Sequence, residues 1–260
     1  TATRPSICST RSTGSVTASS SRHSPSTLVA GDEDVVVVVD LSLIYIFMMI
    51  ETFKKVSLSR ILQNYHLKKL SILENGNLIE FGSTNNSSKS FFNNINGTFK
   101  VDFADKLIGE NSIKFDLEKQ NEISKKYNIV IIFNVLEHVY DIDNAIKEIK
   151  KILVSGGKLI GATPFLYRVH YAPEDYNRYT KQFFEKLFKK NNMKNVNIQE
   201  LGFGPFSLCY SIIFDYVKYL PIISNILLTI CIILDRFLNI FIKTRLKKIY
   251  PISYIFYCEN

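Results

Sequence analysis

The sequence predicts an α/β protein built on a doubly wound, mostly parallel seven-stranded sheet, with an apolar helical insertion ahead of the last strand. Three observations carry this. Asn128–Val135 opens as an unbroken β-branched and aromatic run, the pattern of a strand covered on both faces. Ile142, Ala145, Ile146, Ile149, Ile152 and Leu153 then trace one face of an amphipathic helix, and Lys158–Phe165 is a further buried strand. Strand and helix patterns alternate through most of the chain, as crossover connections in a parallel sheet require. With 260 residues, 46% hydrophobic and 22% charged, the chain can bury one sizeable core.

Taken in order, Thr1 to about Asp34 is rich in Ser, Thr, Arg and Pro and nearly free of large apolar side chains, so disorder is expected there. Val35–Val39 and Leu41–Ile50 are apolar, but Asp40 interrupts them and their upstream flank is not strongly basic, which argues against a signal-anchor. Residues 1–47 are read as disordered or foreign to the fold, with translation starting at Met48 or Met49 and the domain spanning 48–260. Val56, Leu58, Ile61, Leu62, Tyr65, Leu70 and Leu73 suggest one or two lead-in helices. Asn75-Gly76 is a turn, Asn77–Phe81 the first strand, Ser83–Ser88 a polar loop, and Ser90–Asn94 a brief helix. Phe99–Phe103, Ser112–Leu117 and Asn128–Val135 are strands two to four. Ser155-Gly156-Gly157 ends the helix that follows, and Lys158–Phe165 is strand five. A helix at Lys181–Asn191, a strand at Val196–Leu201 and a last strand at Ile252–Cys258 complete the pattern.

Residues 203–250 break the alternation with a strongly apolar, helix-like insertion. Its longest charge-free run, Tyr219–Leu234, has 16 residues, short of the roughly 20 that span a bilayer. Lys243, Arg245, Lys247 and Lys248 follow, so 206–248 fits peripheral attachment to a membrane surface. A helical pair capping the sheet, or a dimer interface, fits the same pattern.

The net charge of +8 permits an anionic partner, but the lysines are scattered. No compact basic–aromatic patch or RNA-binding motif is present, so nucleic acid is not the expected partner. Cys8, Cys209, Cys231 and Cys258 lack metal or redox spacing and read as reduced thiols of a cytoplasmic protein; no metal centre is expected.

Polar residues gather where strands end, the edge at which open α/β sheets bind ligands. Glu80, Gly82 and Ser83 close strand one, and the glycine permits close backbone approach. Asp102, 20 residues after Gly82, has the offset of a carboxylate that holds ribose hydroxyls. Asp116 and Leu117 close strand three, and Asn134, Glu137 and His138 follow strand four. After strand five, residues 163–180 place His170, Asp175, Arg178 and four tyrosines in a loop too long for a connector. His170 is the natural general base, with Asp175 to orient it and Arg178 to clamp an anionic substrate group. Equally, Asp175 and Arg178 pair to fix the loop, and Thr180 caps the next helix.

Glu80-Phe-Gly-Ser83, Asp102, Asp116-Leu117, Asn134-Val-Leu-Glu-His-Val139 and Leu153-Val-Ser-Gly-Gly-Lys-Leu-Ile160 together resemble a class I S-adenosylmethionine-dependent methyltransferase, over about Asn77 to Gly202. The loop at 163–180 also resembles a segment of its type 11-like branch, often associated with cell-surface glycans or small metabolites. The resemblance implies a Rossmann-like methyltransferase fold and S-adenosyl-L-methionine as cofactor. Glu80, Gly82 and Ser83 would line its methionine end, Asp102 would hold the ribose, Asp116 and Leu117 would flank the adenine, and Asn134 and His138 would close the pocket. The acceptor is then an oxygen or nitrogen of a small-molecule, glycan or lipid-linked substrate. At Ser83–Asn85 the sequence departs from the family, which commonly has further glycines there. A nicotinamide-dependent reductase is disfavoured by those missing glycines. A non-catalytic, membrane-surface module is the remaining alternative.

Overall fold

A computed structural model of the chain describes residues 46–69, 71–72, 75–82, 94–95, 99–105, 112–171, 174–242 and 244–260. The expectations for 1–34, for Ser83 and its polar loop, and for a helix at 90–93 lie outside them.

Residues 46–53 form helix α1 and Leu58–Lys69 form α2. Two short strands, β1 (Ser71–Ile72) and β3 (Asn94–Ile95), pair in parallel beside the main sheet. That sheet contains β2 (Gly76–Phe81), β4 (Phe99–Asp105), β5 (Ser112–Lys114), β6 (Tyr127–Phe133), β7 (Leu153–Pro164), β8 (Lys194–Leu201) and β9 (Ser253–Glu259). Its order is β5-β4-β2-β6-β7-β9-β8. All pairs are parallel except those made by β9, which runs antiparallel between β7 and β8. Six of the seven strands therefore run the same way, and their carboxyl ends share one edge.

Alternation along the buried strands sends side chains to two cores. Ile79, Phe81, Val130, Ile132 and Leu159 join the core under α3 (Ile142–Ile152) and α4 (Lys181–Lys190). Leu78, Ile129, Ile131, Ile160 and Ala162 join the core under α1, α2, α5 (Pro205–Val217) and α6 (Pro221–Phe241). Both crossover helices begin where the sequence supplies a cap. Asp141 accepts from Asn144 N at 3.0 Å, and Thr180 from Phe183 N at 3.3 Å. Gly161 stands opposite Phe256, and a Cβ there would sit 2.2 Å from the Phe256 ring.

Several boundaries differ from the sequence expectation. Strand β5 ends at Lys114, short of Leu117, and β7 opens at Leu153, so Ser155-Gly156-Gly157 lies inside it. Two more bear on the start of the domain and on the insertion. The packed body includes Phe47, whose ring lies 6.3 Å from that of Tyr65 and 4.2 Å under Lys68 Nζ, so it reaches upstream of Met48. Helix α6 continues through Asp235 and Arg236 to 21 residues and is long and apolar enough to cross a membrane. The charge-free run understated it, because Asp235 is buried and spends its carboxylate on Phe206 N (2.9 Å) and Ser207 N (2.8 Å), the open end of α5. A single crossing is excluded by topology, since β8 before the insertion and β9 after it are neighbours in the sheet.

Candidate active site

Gly82 follows β2 directly and takes φ +74, the left-handed region that glycine enters without strain. A Cβ there would sit 2.4 Å from Val135 Cγ2, so only bare backbone fits between the two strand ends. Its N–H donates to Ala104 O at 3.2 Å, which brings it beside the end of β4. Glu80, two residues earlier, is buried.

Asp102 is not at that edge. It faces Ile79 in mid-strand, and Asp105 closes β4. The Asp102 carboxylate accepts from Lys125 Nζ and from Tyr127 OH (2.9 Å), groups at the opening of β6. Three residues at about 3.3 Å each put it roughly 10 Å below the rim. The expectation that Asp102 holds the ribose is thus corrected: the rim position belongs to Asp105. Sequence spacing selected the first of two aspartates in Val-Asp-Phe-Ala-Asp, because nothing short of the strand register separates them.

Asp116 does lie just beyond β5, where it builds a turn. Its Oδ1 accepts from Glu118 N (3.1 Å), Lys119 Nζ stands 3.4 Å from Oδ2, and Asn121 bonds its backbone N–H and carbonyl. Leu117 is buried beside it. Asn134, at φ +53, ends β6, and its amide exchanges two hydrogen bonds of 3.1 and 3.2 Å with Gln63 of α2. Gln63, 1% exposed, went unnoticed in the sequence because it reads as the polar face of a lead-in helix.

Past Asn134 the chain makes a 3₁₀ turn, Leu136–His138, and meets the loop after β7. Glu137 orders that loop through its backbone carbonyl, which accepts from Tyr176 N (2.9 Å) and Asn177 N (3.3 Å). Its carboxylate is wholly buried, and neither oxygen has a hydrogen-bond partner among the described residues. Burial pushes that carboxyl up to about 7. His138 hydrogen-bonds through Nδ1 to Glu174 O, and its ring meets that of His170 edge to face at 5.0 Å.

His170, Asp175 and Arg178 are brought together as the sequence suggested, with roles divided differently. Asp175 accepts from His170 N (2.9 Å) and stands 3.4 Å from His170 Nδ1. Both terminal nitrogens of Arg178 go to Asp175, which fills the clamp meant for a substrate anion. The Arg178 hydrogen bonds hold the Asp175 carboxyl down at about 2. Burial, with His138 beside it, keeps the His170 imidazole below the ordinary histidine range. At neutral pH His170 therefore carries a free lone pair at the rim, with its backbone pinned by the Asp175–Arg178 pair.

A family model described as a methyltransferase domain matches residues 58–198, more than half of the chain. The protein belongs to this family, the class I S-adenosylmethionine-dependent methyltransferases. Its cofactor is accordingly S-adenosylmethionine. Gly82, Asp116, Leu117, Asn134 and His138 follow the carboxyl ends of β2, β5 and β6 and so lie along one edge of the sheet.

Among solved structures, the chain resembles phosphoethanolamine N-methyltransferase 2 of Haemonchus contortus in complex with S-adenosyl-L-methionine. The identity is 12%, over 76% of this chain and 52% of that one, at TM-score 0.48. The chain thus spans about half of that protein's length. It is also similar to the [4+2]-cyclase SpnF, at 8% identity over 76% and 79% of the two chains, TM-score 0.49. A third is the plantazolicin methyltransferase BamL, at 12% over 85% and 90%, TM-score 0.40. No curated protein matches the sequence.

Proposed function

We infer that the protein transfers the methyl of S-adenosylmethionine to an oxygen or nitrogen of a small or lipid-linked acceptor that it meets at a membrane surface. The observation that carries this reading is the tie between the His170 loop and the apolar hairpin: Arg168 Nε of that loop pairs with Asp215 Oδ2 of α5 at 2.5 Å. One face of the hairpin packs Phe214, Leu228 and Ile232 into the core, and polar residues of α6 are buried with them while a second apolar face is left exposed. Ser224, Asn225 and Asp235 are buried, whereas Ile222, Ile226, Ile230, Ile233, Phe237 and Ile240 are exposed along α6. Asn225 Nδ2 reaches Met49 O at 3.5 Å, which sets α1, with its exposed Ile50 and Phe53, beside α6. Lys247 and Lys248 follow on α7 (Leu246–Ile249). Apolar relief bordered by lysines suits the interface of an anionic bilayer.

The bound cofactor supplies an electrophilic methyl on its sulfonium. The chain's residues position the partners: Gly82 admits the cofactor, the His138–His170 pair faces the acceptor, and neutral His170 accepts the acceptor's proton as it reacts. Asp175 holds His170 in place and Arg178 holds Asp175. Incubation with methyl-labelled S-adenosylmethionine and either anionic liposomes carrying a lipid extract or the water-soluble metabolite fraction tests the reading. Label in the lipid fraction, lost in His170→Ala, supports it; label confined to soluble metabolites refutes the membrane-surface acceptor.

A further inference from the structure

Glu137, His138 and His170 offer one ligand atom each, and these atoms all lie within 4.8 Å of one another. We propose that they form a site for a divalent first-row transition cation at the acceptor end of the methyltransferase pocket. The inference deepens the methyl-transfer reading and departs from the sequence expectation of no metal centre.

Three features of the cluster point to a ligand. Glu137 is wholly buried and both its carboxylate oxygens lack a hydrogen-bond partner among the described residues, an arrangement that is costly unless something satisfies them. Its nearest charge partner, His138 Nε2, stands 3.8 Å from Oε1, beyond hydrogen-bond reach but suitable for two donors that share one ion. The Nδ1 of His138 is engaged with Glu174 O, so an Nδ1–H donated to that carbonyl leaves the Nε2 lone pair for a metal, the arrangement in which ligating histidines are commonly held. Asp175 and the Arg178 guanidinium behind it fix the third ligand, His170, through its backbone N–H.

The donor set is two imidazoles and one carboxylate, which suits zinc, manganese, cobalt or iron(II) better than the all-oxygen preference of magnesium. Glu137 is closed off, His138 is 14% exposed and His170 29%, so an ion held by the three would be reached from solvent on the histidine side. An ion held there would acidify an acceptor hydroxyl bound to it and solvent would take the proton, so the base role given to His170 above applies to the ion-free chain.

The test is direct titration of the chelator-stripped full chain with Zn²⁺, Mn²⁺ and Co²⁺, read by calorimetry and, for Co²⁺, by its visible absorption. The result expected is one ion per chain at micromolar affinity or tighter, weakened at least tenfold in His170→Gln and in Glu137→Gln and unchanged in His66→Gln. Because replacing the buried Glu137 can unfold the chain, the partly exposed His170 carries the comparison, with circular dichroism confirming its fold. No binding of any of the three ions, or binding that His170→Gln leaves intact, overturns the proposal. S-adenosylmethionine affinity is titrated separately on the stripped chain. Cofactor binding without ion binding sinks only the metal site; ion binding without cofactor binding sinks only the methyltransferase reading.

Discussion

Replacing Asp175 by Asn removes one charge from the pair that anchors the His170 loop, and the structure sets the size of the effect. The Asp175 side chain is 1% exposed, receives Arg178 through two nitrogens and accepts His170 N at 2.9 Å. Its carboxyl is held at about 2 against an ordinary 3.8. Close to two pH units of depression correspond to about 2.5 kcal/mol of native-state preference. Asn also leaves Arg178 without its counter-charge; since Arg178 is 22% exposed, water recovers part of that loss. The expected deficit at pH 7 is therefore about 2–4 kcal/mol. The sign follows from the depressed value. The stabilisation is complete above the unfolded-state value near 3.8 and is lost as pH falls through about 2. Urea unfolding followed by circular dichroism at pH 7, 5, 4 and 3 should show a constant deficit down to pH 5 that narrows below pH 4. A deficit under about 0.5 kcal/mol at pH 7, or one that stays constant down to pH 3, would refute the reasoning.

Asp102→Asn should lower stability by about 1–2 kcal/mol, through its contacts with Lys125 and Tyr127, while S-adenosylmethionine affinity stays within twofold; a tenfold loss of affinity would return Asp102 to the cofactor site. Gly161→Ala drives a methyl against the Phe256 ring and the Ile132 carbonyl, and a loss of about 1–3 kcal/mol is expected, partly restored by Phe256→Leu. If the double variant is no more stable than Gly161→Ala, the ring is not the obstacle. Ile230→Glu with Ile233→Glu should abolish sedimentation with anionic liposomes at unchanged melting temperature, since both side chains are about half exposed. Retained sedimentation would move the membrane contact off α6.

Much of the fold was legible because the β-branched runs and the helical period of Ile142–Ile152 are local signals; the Gly156-Gly157 pair, read as the turn before strand five, instead lies inside β7 at an irregularity in its pairing with β6. The antiparallel return of the last strand was readable as a strand but not in direction, which depends on the partners it finds. The site was legible in outline only. The sequence pointed to His170, Asp175 and Arg178 as neighbours, and they are, yet the bidentate pair that occupies Arg178 is a matter of rotamers and loop geometry. Asp102 was misplaced because a strand's last residue is set by register with its neighbours. Glu137 read as an ordinary loop carboxylate, and its complete burial arises from the 174–178 segment folding over it. The length of α6 was hidden by Asp235, whose charge marks a break in a spanning segment but here serves the open end of α5.

The most direct measurement of the central claim is calorimetric titration of the folded chain with S-adenosylmethionine, with S-adenosylhomocysteine and NAD alongside. One site of micromolar affinity for the two sulfur ligands, with no heat from NAD, is the predicted result. A folded chain that binds neither sulfur ligand, or that binds NAD instead, contradicts the account.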